Sequence, residues 1–486
     1  MRVLVLEAST SAAKAMLYEL GRGVIAEESE PYSPKIYKNG GQDTEEVYVS
    51  TLRAGRKAVG GRSVDTIAVS GVWHSVVVCD ASMWPVVPSY TWVFTGAADI
   101  CRNARADSDF AAAIYRRTGC VPNVTYALYT LKYLSQNGLD LSDKLLASQG
   151  GYNFFRMTGE RLETRNIVSG MGLLNLSSGE YDEAALDYAG IRGGQLSPLA
   201  GYREARPLSK ETAEHLDVSA GIPVVPPHSD GALNQLGNDA CHPGIMTFSV
   251  GTSAALRLFS KIPLYSSPAA TWCYAAAENY LSGAATAGAC NCVNWFKDTF
   301  LNGKMSFEEL ESNLLDGDVT PVYLPFLFGE RCPGWKDDRM GGFCDIKPEF
   351  AAPDMFRALA EGILFNIYQC YGILERLSGT PEKIVISGGI LNSAKWTQMA
   401  ADIFGRGLTV SQTPQASLLG GVVLALYAEG VLLKPDDFGL EPTKTVSPRS
   451  GVRDRYLEKF ARYLYWYEKS DSGYEKISRK GTIAMR

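Results

Sequence analysis

At 486 residues, 46% of them hydrophobic and 21% charged, the chain reads as an ordinary globular protein too long for one core, so two large domains are expected. A formal net charge of −6 argues against a nucleic-acid-binding surface. No stretch approaches eighteen uninterrupted apolar residues, and the apolar run Val3–Leu6 meets Glu7 too soon for a secretory leader, so neither a membrane span nor export is expected. The ten cysteines are scattered without a CxxC pair, and Cys290-Asn291-Cys292 is too little for a tetrahedral metal site. They read as buried, reduced thiols in a cytoplasmic protein.

In chain order, Val3–Leu6 predicts a strand, Glu7-Ala8-Ser9-Thr10-Ser11 a small polar turn, and Ala15–Tyr18 a second strand. Thr66–Ser70 is a further strand, followed by Gly71-Val72-Trp73-His74, and residues 126–136 carry apolar positions at helical spacing. Ile222–Pro226 is an extended run entering a predicted turn at His228-Ser229-Asp230-Gly231. The opening pattern then returns: strand Ile245–Val250, turn Gly251-Thr252-Ser253, strand Ala254–Phe259. Two such hairpins about half the chain apart suggest a duplicated architecture. A long helix over Phe356–Leu377, a strand Lys383–Ser387 ending at Gly388-Gly389, and helices over 394–404 and 418–428 complete an α/β alternation. From Ser447 onward the tail predicts one amphipathic helix and a mobile end.

Phosphoryl transfer needs small residues that let backbone N–H groups approach phosphate oxygens, a carboxylate for a metal ion, and a base near the acceptor hydroxyl. Neither a GxxxxGK[ST] loop nor the protein-kinase signature set occurs. The small, hydroxyl-rich tips at residues 9–11 and 251–253, with Gly388-Gly389, could instead form parts of one nucleotide cleft. Each tip taken alone reads first as an ordinary hairpin.

The chain resembles the FGGY family of carbohydrate kinases, in the superfamily of actin and hexokinase. The likeness rests on His228-Ser229-Asp230-Gly231-Ala232, Gly251-Thr252-Ser253, Gly329-Glu330-Arg331-Cys332-Pro333, and Ser387-Gly388-Gly389 with Asn392, Trp396 and Asp402. Ser70-Gly71-Val72-Trp73-His74 is similar to the family's Ser-Gly-Gln-Met-His segment. The resemblance implies two ribonuclease-H-like α/β domains of the actin/hexokinase type flanking a central cleft. These would be residues 1–241 with the sugar site and base, 242–435 with the nucleotide site, and a helical tail over 436–486. It implies ATP and Mg²⁺, with Asp230 as catalytic base and substrate ligand. Thr10, Ser11, Lys14, Gly251, Thr252, Ser253, Gly388, Gly389 and Asn392 would bind the nucleotide, and Trp73, His74 and Trp92 the sugar.

Departures from the family pattern accompany these matches. Glu7-Ala8-Ser9-Thr10 stands where the family has Asp-x-Gly-Thr, so Glu7 would hold Mg²⁺ through water. Phe94 and Gly96 replace an acidic and a basic residue after Trp92. Cys273-Tyr274, Glu278-Asn279 and Trp295-Phe296-Lys297-Asp298 are similar to gluconokinases, and Tyr323-Leu324-Pro325-Phe326 suits both gluconokinases and xylulokinases. The expected activity is ATP-dependent phosphorylation of gluconate or a ketopentose such as xylulose. The alternative is a catalytically weak sugar-binding or regulatory protein on the same fold. The expected partner is a small sugar, not nucleic acid or membrane, with homodimerisation left open.

Overall fold

The computed structural model describes residues 1–480 except 39, 303, 317–318, 412, 414 and 440–443, and over 471–480 it describes the backbone alone. In the first half, β1 (Arg2–Ala8), β2 (Ala12–Glu19) and β3 (Gly23–Pro31) form an antiparallel meander. Helix α1 (Thr44–Val59) leads to β4 (Thr66–Gly71), which lies parallel to β1. Strand β5 (Arg206–Pro207) pairs antiparallel with β6 (Pro223–Ser229), which lies parallel to β4 and runs straight into α2 (Asp230–Leu236). The sheet order is β5-β6-β4-β1-β2-β3. Val3 to Leu6 are fully buried, as expected of a central strand covered on both faces. The edge strand β3 carries Glu27, Glu28 and Glu30, charges that discourage further pairing.

The second half repeats the plan. Strands β7 (Ile245–Val250), β8 (Ala254–Ser260), β9 (Trp272–Ala276) and β10 (Asn279–Thr286) precede the long helix α3 (Ala352–Ser378). After it come β11 (Lys383–Ser387), α4 (Ala394–Phe404), β12 (Leu408–Val410), α5 (Ala416–Ala428), β13 (Thr445–Val446) and α6 (Arg453–Lys480). The order is β9-β10-β8-β7-β11-β12-β13. Matched from the meander outward, β3-β2-β1-β4-β6-β5 corresponds to β10-β8-β7-β11-β12-β13, with the same strand directions at every step. The duplication read from two short hairpins therefore extends through both sheets.

Helix α5 belongs to the second half yet packs across α2, β1 and β4 of the first. It is apolar all round and buried along most of its length. Two glycines set the closeness of the α2–α5 crossing. A Cβ on Gly237 would lie 1.8 Å from the Ala416 carbonyl oxygen, and one on Gly420 would lie 1.8 Å from that of Leu233. No side chain fits at either point.

Two local expectations fail. The turn predicted at 228–231 does not form, because β6 continues through Ser229 and Asp230 opens α2. The Ser229 hydroxyl accepts the Ala232 N–H at 3.2 Å and caps the helix, so strand passes to helix without a loop. Glu7, expected in the first turn, lies in β1 opposite Lys14. The turn is only Ser9–Ser11, closed by the Ser9 N–H and hydroxyl, which both donate to the Ala12 carbonyl, at 3.1 and 2.7 Å. The amphipathic tail forms as α6, tied down by the Lys459–Glu361 ion pair at 2.7 Å and by a hydrogen bond from Tyr467 to Glu330 at 2.7 Å. All ten cysteines are free thiols, eight of them buried.

Candidate active site

The two hairpin tips meet across one cavity of about 800 Å³. Thr10 and Ser11 reach it from the β1–β2 turn, Gly251, Thr252 and Ser253 from the β7–β8 turn, and Gly388, Gly389 and Asn392 from the end of β11. Among these, Gly388 is the backbone position with least freedom to change. Its φ is +93°, and a Cβ there would lie 2.4 Å from the Val250 carbonyl oxygen, so the chain can pass β7 this closely only with glycine. The second tip is braced from behind, where the Cys290 N–H donates to the Gly251 carbonyl at 2.9 Å. Lys14 does not line the cavity. Its ammonium lies 3.6 Å from Glu7 and donates to Gln415 at 3.3 Å, joining β2 to the residue before α5.

Asp230 occupies the first turn of α2, and Asn234, one turn later on the same face, lines the cavity. The Asp230 carboxylate accepts the Gly231 N–H at 2.8 Å. Burial first, and the nearby Glu7 charge second, raise its pKa from 3.8 to about 6 against the opposing pull of Arg257, the Gly231 N–H and Lys14. A carboxyl so poised is ionised at neutral pH yet basic enough to take a hydroxyl proton. Glu7 itself is 2% exposed and accepts the Ser70 hydroxyl at 3.1 Å, with Lys14 beyond its other oxygen.

The remaining sequence-predicted residues separate into two groups. Trp92 forms part of the cavity wall, its indole N–H donating to the Thr10 hydroxyl at 3.1 Å, so it stands beside the first hairpin tip. Trp73 and His74 lie deeper. Trp73 is 4% exposed, donates to the Asn166 carbonyl at 2.7 Å and packs under Gly231, where a Cβ would come within 2.9 Å of its ring. It supports the turn carrying Asp230 from below. The His74 Nδ1 donates to the Gly170 carbonyl at 2.5 Å. Burial, helped by the charges of Arg331 and Arg257, holds its pKa down at about 3, so the ring is neutral and Nε2 is an acceptor. Phe94 packs against Tyr90 and Tyr133 at ring distances of 4.6 and 5.2 Å. A Cβ on Gly96 would lie 2.4 Å from its ring. An aromatic plug thus stands where the family pattern has a charged pair.

Sequence reasoning passed over Arg257, Asn234 and Ser249. Arg257 was detectable as the one charged residue in the apolar strand Ala254–Ser260. Asn234 and Ser249 carry no such signal, because their importance comes from the face on which they emerge.

Two sheets of matching topology, whose hydroxyl-bearing hairpin tips meet across one cleft, define the actin/hexokinase type of fold. Residues 2–237 match the N-terminal domain model of the FGGY family of carbohydrate kinases, and residues 246–429 match its C-terminal domain model. The chain belongs to that family, whose members use ATP. It is 26% identical to a gluconokinase of Bacillus subtilis (strain 168), over 88% of each chain. It is 24% identical to a xylulose kinase of Lactococcus lactis, again over 88% of each. The crystal structure of a gluconate kinase from Lactobacillus acidophilus superposes with a TM-score of 0.92 at 24% identity, covering 98% of this chain and 100% of that one.

Proposed function

We propose that the protein transfers the terminal phosphoryl group of ATP to a hydroxyl of gluconate or a ketopentose, with Asp230 as the base. The carrying observation is that both hairpin tips and the strand-end glycines line one cavity with Asn234, one turn from Asp230 on the same helix face. The hydroxyl proton passes to the Asp230 carboxylate as the sugar oxygen bonds to the terminal phosphorus. The bond from that phosphorus to the bridging oxygen breaks, and ADP leaves. Thr10, Ser11, Gly251, Thr252 and Ser253 hold the phosphates, while Gly388, Gly389 and Asn392 border the rest of the nucleotide. His74 and Trp92 border the sugar, with Trp73 as their support. Residues 1–241 supply the base, residues 242–435 most of the nucleotide site, and 436–486 a bracing tail.

The residues present fit a hydrated Mg²⁺ better than a directly ligated one. Both Glu7 oxygens already have partners in Ser70 and Lys14, while its charge still reaches Asp230. Glu7 would hold the ion through water, and the ion would offset charge on the phosphates. The test is ADP release measured over a panel of aldonic acids, pentuloses and polyols. Turnover on gluconate or xylulose, lost in Asp230→Asn with nucleotide binding retained, is the expected result. Near-full activity in that variant would remove Asp230 from its role.

A further inference from the structure

Away from the nucleotide cavity, the segment joining the two halves carries side chains that the kinase reading does not use. Asp239 and Cys241 lie between α2 and β7, and Asp436 lies in the short turn of helix Pro435–Phe438 that follows α5. One oxygen from each carboxylate and the thiol sulfur all fall within 4.8 Å of one another. The group is withdrawn from solvent. Cys241 is 8% exposed, and Asp436 Oδ1 is buried without a hydrogen-bond partner. The adjacent Asp437 shows the contrast, since it is exposed and accepts the Lys434 N–H at 3.0 Å as the cap of the same turn. A carboxylate oxygen removed from water with no donor is costly.

Among the described residues no cation forms an ion pair with either carboxylate. Lys383 and His242 exert an attraction on Asp239 without reaching ion-pair distance, and the His242 Nδ1 is engaged with the Pro243 carbonyl at 2.9 Å. The thiol has only a long contact of 3.9 Å to the Leu236 carbonyl. Two carboxylate oxygens and one thiolate are a donor set for zinc, because magnesium and calcium take oxygen ligands alone. A tetrahedral zinc with bonds of about 2.0–2.3 Å holds its ligands roughly 3.5 Å apart, so side-chain movements of about 1 Å close these three atoms on one ion and leave the fourth place to water. As the sulfur–zinc bond forms, the thiol proton passes to solvent.

The position also suits a clip. Ala240 and Ile245 pack with Val385 in a small apolar cluster separate from the two main cores, so the joining segment has little core of its own. The turn bearing Asp436 follows α5 directly and is seated by Phe438 against Tyr18 of β2, with ring centroids 5.7 Å apart. We infer that Asp239, Cys241 and Asp436 form a structural zinc site that ties the segment joining the two halves to the turn after α5.

Zinc retained after dialysis of the whole chain against buffered zinc is counted by elemental analysis in wild type, Cys241→Ser, Asp436→Asn and Cys344→Ser, a thiol outside the cluster. Cobalt(II) loading reads the sulfur ligand through its sulfur-to-cobalt charge-transfer absorption. Wild type should hold one zinc per chain and show the band, and zinc should raise its unfolding temperature. Cys241→Ser should abolish the band, both cluster variants should weaken zinc binding by at least about 10-fold, and Cys344→Ser should change neither. Asp436→Asn alters a half-buried side chain in a surface turn, so it carries the test should Cys241→Ser not fold. Absence of retained zinc in wild type, a band that survives in Cys241→Ser, or zinc affinity unchanged in Asp436→Asn would overturn the inference. None of these readouts depends on phosphoryl transfer, so the kinase reading stands or falls separately.

Discussion

Asp230→Asn separates two properties that the proposed base must carry together. The substitution keeps an oxygen to accept the Gly231 N–H and removes only the charge. Because the folded-state pKa of Asp230 is raised, from 3.8 to about 6, its ionisation opposes folding. Below 3.8 the group is neutral in both states and costs nothing. Between 3.8 and about 6 the unfolded chain ionises first, and stability is lost as pH rises through that window. At about 1.4 kcal/mol per pH unit, the accumulated loss is about 3 kcal/mol at neutral pH. The amide that replaces the carboxyl does not ionise, so the variant should be more stable than wild type by up to that amount at pH 8 and equal to it near pH 3.5. With a urea slope of about 3 kcal/mol/M, the unfolding midpoint at pH 8 should rise by about 1 M. Over the same series, kcat should fall by about 100- to 10,000-fold, the range attributed to general-base catalysis. A midpoint shift that is the same at both pH values, or a variant less stable at pH 8, would refute the account of Asp230 as a desolvated carboxylate.

Glu7→Gln should move the acidic limb of kcat/KM to lower pH, because it removes a charge that raises the Asp230 pKa and releases Lys14 to lower it further; the pH–rate profile reads this directly, and an upward shift would contradict it. Gly388→Ala should destabilise the β11 turn by about 1–3 kcal/mol and weaken ATP binding, measured by thermal unfolding and calorimetric titration, since it adds a methyl group 2.4 Å from the Val250 carbonyl at positive φ. Tyr467→Phe should cost about 1–3 kcal/mol in urea unfolding by stripping a hydrogen bond from the buried Glu330 carboxylate, and an unchanged unfolding midpoint would contradict the bracing role of the tail.

How much was legible in the sequence depends on the range of the information involved. Hydrophobic runs are local, so Ile245–Val250 and Lys383–Ser387 were readable to the residue, as was the helix over 394–404. The repeat of strand, hydroxyl-rich turn and strand was also local, and it foretold the common topology of both sheets. Capping was harder to see. His228-Ser229-Asp230-Gly231 has the composition of a turn, and only the Ser229 hydroxyl on the Ala232 N–H reveals a helix start in its place. Packing partners were out of reach, because Trp73 looks like a ligand until Gly231 and Gly170 are found against its ring.

Charge balance is the least local property of all. An arginine in an apolar strand is visible in one dimension, but its missing partner is not. That Arg257 and Arg331 have no carboxylate within ion-pair distance among the described residues is seen only when Glu330 is found against Arg339 and Tyr467, and Glu7 against Lys14 and Ser70. The tail thereby gains a structural part in this loop. Helix α6 lies outside both matched family domains, yet its Tyr467 donates to Glu330, whose carboxylate also accepts the Gly334 N–H and faces Arg339 at 3.3 Å, so the tail helps to fix the loop over residues 329–334.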